Sequence, residues 1–142
     1  MPTFIHSKLS VFWLDTAGGT LTDISTYCDE VSMPEELDLV ETTTFGATSK
    51  TYLVGFGDGK VTISGNWDRT IDVQLSALRA AFRAGTLASA SFEYGPEGAS
   101  SGDKKFSGEV VMVNYEKNSA VKDQVKFSAE FQITGAVTDG SY

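Results

Sequence analysis

Two hydrophobic periods alternate along this chain. In residues 60–68, Val61, Ile63, Gly65 and Trp67 share one face, and Lys60, Thr62, Ser64 and Asn66 share the other. A period of two with one polar face predicts a half-buried antiparallel strand. The same alternation returns in residues 125–134, where Val125, Phe127, Ala129, Phe131 and Ile133 interleave with Lys126, Ser128, Glu130, Gln132 and Thr134. Residues 105–117 read as a long strand, with Val111, Val113 and Tyr115 on one face and Val110 and Met112 on the other. Residues 8–14 are apolar on both faces and residues 87–94 alternate again, adding two more strands. Residues 21–33 form an extended stretch without a clear period, broken at Met33-Pro34 because proline cannot donate to a ladder.

Between these strands the period changes once. Ile71, Leu75, Leu78 and Phe82 fall at helical spacing, with Asp72, Ser76, Arg79 and Arg83 repeating it one residue later. The spacing predicts an amphipathic helix that starts near Ile71 and ends at Ala84, capped by Asp68 or Thr70 and stopped by Gly85. Residues 95–103 (Gly-Pro-Glu-Gly-Ala-Ser-Ser-Gly-Asp) read as a mobile loop, and the segment after Gly135 as a short polar tail. One stretch fits neither period. An arm beginning at Val40 and ending at Gly59 is rich in Thr, Ser and Gly and carries Phe45 and Tyr52, too polar for a core and too apolar for a plain linker. The expected fold is mainly β: an antiparallel β-sandwich or partial barrel with one flanking helix and a long inter-strand arm, as a single domain over residues 1–142.

Composition narrows the function classes. The chain has 19 acidic and 11 basic residues, a net charge of -8, which repels nucleic acid at long range. Cys28 is the single cysteine, so no internal disulfide is expected, and Asp29 and Glu30 beside it work against a reactive thiolate. His6 is the single histidine and has no Ser, Cys or Asp motif beside it to build a triad. Gly55-Phe56-Gly57-Asp58-Gly59 leads into a strand rather than a helix and holds an acid, so it reads as a glycine turn and not a phosphate loop. The acids Asp29, Glu30, Glu35, Glu36, Asp38 and Glu41 lack calcium-loop spacing and read as a solvated surface, an acidic lining or an inter-subunit contact strip. The N-terminal segment lacks the charge and apolar block of a signal peptide, and no run has the length of a membrane helix; synthesis in a cytoplasm, with no cofactor and no enzymatic role, is the expectation.

The order of these features resembles the tail tube proteins (major tail proteins) of long-tailed bacteriophages. The carriers are Glu41-Thr42-Thr43-Thr44-Phe45-Gly46-Ala47-Thr48-Ser49-Lys50, the strand ending Asn66-Trp67-Asp68, the helix, and the last strand running into Thr134-Gly135-Ala136-Val137. The resemblance implies a virion protein of the tail tube: a β-sandwich with one helix, six copies to a ring, and rings stacked into a hollow tube through which DNA passes during ejection without specific binding. It also implies contacts with a tape measure protein and tail-end proteins, and the absence of the extra immunoglobulin-like domain of some relatives. On this reading Thr42, Thr43, Thr44, Phe45, Gly46, Ser49, Lys50 and Tyr52 belong to an arm that contacts a neighbouring subunit or ring.

Two alternatives stand beside it. One is another tail component of related fold, such as a tail terminator or completion protein. The other is a small carbohydrate-binding sandwich using Trp13, Trp67, Tyr94 and Tyr115 as a stacking surface, although Trp67 shares its face with Val61 and Ile63 and so reads as core.

Overall fold

The computed structural model describes residues 3–142; Met1 and Pro2, which open the N-terminal segment read above, lie outside the described residues. The elements in chain order are β1 (Val11–Asp15), β2 (Leu21–Asp23), β3 (Cys28–Ser32), β4 (Glu35–Glu41), β5 (Tyr52–Asn66), α1 (Arg69–Ala84), β6 (Ala90–Gly95), β7 (Lys104–Asn118) and β8 (Lys126–Ser141). Short 3-10 turns precede β1 and β3. All the strands belong to one eight-stranded antiparallel sheet in the order β2-β1-β6-β7-β8-β5-β3, with β4 hydrogen-bonded to β5 off that path. The sheet does not close, which is the partial-barrel form of the expected fold.

Alternation produces the core. Val61 and Ile63 of β5, Phe127, Ala129, Phe131 and Ile133 of β8, Val110 and Tyr115 of β7, Phe92 of β6, and Phe12 and Leu14 of β1 are all buried on one face of the sheet. Against them α1 lays Ile71, Leu75 and Leu78, each fully buried. The predicted helix is present with its caps: Asp68 accepts from the Thr70 N–H at 2.9 Å, and Gly85 at φ +74 ends it. Gln74 fixes the helix across the sheet by donating to the Leu14 and Asp15 carbonyls at 3.0 and 3.3 Å.

Three segments depart from the sequence reading. The pairing of β7 with β8 skips Val113, so Val110, Met112 and Tyr115 oppose Ile133, Phe131 and Ala129 on the core face. The expected grouping of Tyr115 with Val111 and Val113 assumed an unbroken period, and one bulged residue reverses every face beyond it. The segment after Gly135 is strand rather than tail: β8 bulges at residues 135–137 opposite Gly108 and then pairs Thr138, Asp139, Gly140 and Ser141 with the start of β7. The loop at residues 95–103 is tied down on several sides. Ser10 donates to the Pro96 carbonyl, Glu97 accepts from the Lys104 N–H, and Gly102 and Asp103 exchange backbone bonds with Tyr142.

Leu75→Ala should lose about 2–5 kcal/mol in chemical denaturation, the range for a buried leucine whose site cannot collapse. Gly65→Ala should cost about 3 kcal/mol or more, because a Cβ there would stand 1.9 Å from the Tyr27 carbonyl oxygen and force β3 off the sheet; hydrogen exchange confined to β3 is the readout.

Candidate assembly surface

Strand β5 serves two structures at once. Its C-terminal half, from Gly59 on, alternates buried and open positions between β3 and β8, whereas Tyr52 to Asp58 are all exposed. Those seven residues pair only with β4, itself exposed along its whole length. The predicted arm is thus a β-hairpin that leaves the body of the sheet. At the rise of an extended strand it projects roughly 20 Å before its loop begins. A lone two-stranded ribbon is marginal in water. Gln132 of β8 braces the root, donating to Asp58 and, at 2.8 Å, to the Gly59 carbonyl.

The ribbon has two distinct faces. Leu39 opposes Val54, Glu41 opposes Tyr52, and Leu37 follows on the same side, giving an apolar strip. The other side carries Glu36 opposite Asp58, then Asp38, then Val40 opposite Leu53. Gly55 and Phe56 stand together opposite Asp38 as a bulge, and the lack of a side chain on Gly55 admits Asp38 at close range. Leu37, Leu39, Leu53 and Val54 are 60–65% exposed and Phe56 88%. Apolar exposure on this scale, gathered on one projecting element, is common at interaction surfaces.

The arm residues singled out from the sequence divide into two groups. Thr42 and Thr43 are spent inside the loop: the Thr42 and Thr51 hydroxyls lie 2.9 Å apart, the Thr43 hydroxyl accepts from the Thr51 N–H at 3.0 Å, and it donates to Glu41 at 3.2 Å. Gly46 turns the tip at φ +85, next to the Ala47 N–H bonded to the Thr44 carbonyl. Thr44, Phe45, Ser49, Lys50 and Tyr52 are left exposed. The six acids do not converge on one point. Glu35, Glu36, Asp38 and Glu41 lie along β4; Asp29 and Glu30 lie on β3, where Asp29 accepts from Ser64 at 3.3 Å and faces Lys126 at 3.5 Å. Among the described residues no three His, Cys, Asp or Glu side chains are placed to hold a metal, and no helix is long and apolar enough to cross a membrane.

The four aromatics of the carbohydrate reading do not share a surface. Trp67 and Tyr115 meet beneath the helix start, where Asp72 accepts from the Tyr115 hydroxyl at 2.8 Å, the Trp67 indole at 3.3 Å and the Ser76 hydroxyl at 3.3 Å. Tyr94 stacks on Phe106. The Tyr115 hydrogen bond, helped by those from Trp67 and Ser76, holds the Asp72 carboxyl below its ordinary 3.8, while burial and Asp72 push the Tyr115 phenol up. This clamp between helix and sheet was missed in the sequence because its donors come from β7, from the connection after β5 and from the helix itself; the lone acid on the inner side of the helix was the available signal. Burial, then Asp29 and Asp23, pushes the Cys28 thiol up to about 12, which keeps it protonated and unreactive.

No protein-family model and no curated protein sequence matches the chain. Solved structures do match its shape. The tail of an empty gene transfer agent particle, refined with C6 symmetry, has a chain 12% identical that superposes over 97% of this one and 100% of its own length with a TM-score of 0.76. For the SPP1 tail tube the figures are 12%, 98%, 80% and 0.75. For the six-fold symmetrised baseplate of the anti-feeding prophage they are 9%, 99%, 98% and 0.77. The fold is that of tail tube proteins. At these identities the likeness is one of backbone, so the tail-tube fold is common ground while the side chains of the hairpin are this chain's own.

Two pH effects follow from the shifted groups. Cys28, Tyr115 and Tyr142 all ionise more readily when unfolded, since burial raises each in the fold, Cys28 and Tyr142 to about 12. Stability should therefore hold up to about pH 9 and fall as the pH rises from about 9 towards 12; Cys28→Ala should flatten that limb by up to one proton, about 1.4 kcal/mol per pH unit, in denaturant titrations. Asp72 runs the other way: its contribution is present above 3.8 and is lost as the pH falls below that, so Asp72→Asn should be less stable at neutral pH and show a weaker acid limb.

Proposed function

We propose that this chain is a structural subunit of a phage-type tail tube, and that its β4–β5 hairpin is the arm through which copies join into rings and stacks. The observation that carries this is a ribbon held to the body at one end only, with seven large apolar side chains open to water, on a fold shared with tail-tube chains. Addition of a ribbon edge to a neighbour supplies backbone hydrogen bonds, and Phe45, Tyr52 and Phe56 supply anchors. The C6 symmetry of one similar tail and the six-fold symmetry of one similar baseplate support rings of six. The polar face of β3, β5, β8 and β7, which carries Glu30, Ser64, Ser128 and Glu116 in one row and Thr62, Glu130 and Asn114 in the next, is suited to line the bore. With a net charge of -8 per copy such a bore repels phosphate and lets DNA pass without adhesion. The location is then the virion tail after synthesis in the host cytoplasm, with the tape measure protein and tail-end proteins as partners and no catalytic activity.

A second reading, a terminator that caps the tube, is favoured by one match: a chain of the sheath/tube terminator of an extracellular contractile injection system is 10% identical, covers 99% of this one and superposes with a TM-score of 0.70. Copy number separates the two.

Purified protein should form rings or tubes in negative stain as its concentration rises. Deleting residues 42–50 should leave the melting temperature of the body within about 4 °C of the parent, a change worth no more than about 1 kcal/mol, and abolish stacking. Tubes formed by the deleted protein would remove the arm from the assembly role.

A further inference from the structure

The gap between β1 and β3 is closed at one end only. There the Phe12 N–H donates to the Ser25 hydroxyl at 2.9 Å, and the Ile24 N–H donates to the Phe12 carbonyl at 3.0 Å. Past that bridge lies a cleft of about 480 Å3, with β3 on one side and the segment leading into β1 on the other. Phe12, Cys28, Val31 and Tyr94 line it, and each is part of the hydrophobic core or packs against it, so the cleft opens onto the core. The β3 wall has a free edge as well. β3 is bonded to β5 alone, and no other backbone–backbone hydrogen bond reaches residues 29–32 among the described residues.

The chain carries its own filler beside this opening. His6 and Ser7 already line the cleft. Thr3, Phe4 and Ile5 lead into them, belong to no helix or strand, and make no backbone–backbone hydrogen bond among the described residues. Phe4 is 90% exposed and Ile5 47%. Phe4 stands two residues before His6, about 7 Å of extended chain, so its ring has the reach to enter the cleft. In an extended segment Phe4 and His6 project to one side and Ile5 to the other. Residues 3–5 carry no charged side chain, so burying them desolvates no ion.

We propose that residues 3–5 form a strap that closes over this gap within one copy, Phe4 entering the cleft against Val31 and Tyr94 and the extended backbone adding to the free edge of β3. Burial of Phe4 offsets the entropy lost in ordering three residues, so the strap opens and closes around a near-balanced equilibrium. Closed, it seals the open end of the core and keeps β3 from pairing with foreign strand edges. The contact is internal to the subunit and stands apart from the assembly reading.

Phe4 and the native Cys28 supply the test. In a dilute, monomeric Phe4→Cys chain, mild oxidation should form an internal disulfide, read as the loss of two hydrogens in the intact mass. Phe45→Cys, at the far tip of the hairpin, should form none. In a Phe4→Ala chain, amide hydrogen exchange at residues 29–32 should quicken about tenfold relative to the parent, the change expected when a mostly closed cover is removed. Because Phe4 is exposed, circular dichroism should show both chains folded. Unchanged exchange in the Phe4→Ala chain overturns the proposal. So does a Phe4→Cys chain that stays reduced when folded yet oxidises when denatured, or one that links only between copies.

Discussion

One strand has to satisfy two environments, and the molecule is arranged around that demand. β5 runs unbroken from Tyr52 to Asn66, held by β3 and β8 over its second half and by β4 alone over its first. The buried half fixes direction: Val61 and Ile63 cannot turn without leaving the core shared with Phe131 and Ala129. The open half inherits that direction, so the hairpin is aimed by the core rather than by its own contacts. Gly59, buried at the crossing point, is where a Cβ would press within 3.1 Å of Ile133 and 3.2 Å of the Pro34 carbonyl.

The core itself is closed by a helix fastened at three kinds of site. Ile71, Leu75 and Leu78 fill the sheet face, Gln74 holds two carbonyls of β1, and Asp72 gathers Tyr115, Trp67 and Ser76. Apolar burial supplies most of the stabilisation, and the polar bonds set the register of helix against sheet. Because Tyr115 reaches Asp72 only after the bulge at Val113, that single skipped residue joins the strand pattern to the helix clamp.

Much of this was legible in the sequence. The period of two in residues 60–68 and 125–134, the helical spacing from Ile71 to Phe82, and the caps at Asp68 and Gly85 each arise from local chemistry and appear as expected. Bulges are not local in that sense. Val113 and residues 135–137 are displaced by what lies across the ladder, so the face of Tyr115 and the strand character of the last residues were unreadable. The candidate surface was half legible: the arm announced itself by composition, but the pairing of β4 with β5, and which β5 side chains join Leu37 and Leu39 on one side, depend on a register set by the Gly55–Phe56 bulge.

The acids along β4 also govern which unions are forbidden. Two identical ribbons laid edge to edge about a twofold axis at Asp38 would set Glu35 of each against Glu41 of the other and the two Asp38 against one another, at the 4.5–5.5 Å separations typical of paired strands. Such an isologous pair would be a dead end, a closed dimer with nothing left to grow from. Like-charge repulsion disfavours it and leaves unlike patches as the available match. Contacts between unlike patches are polar, each copy offering a donor end and an acceptor end, and they propagate until the geometry closes a ring or runs on as a filament.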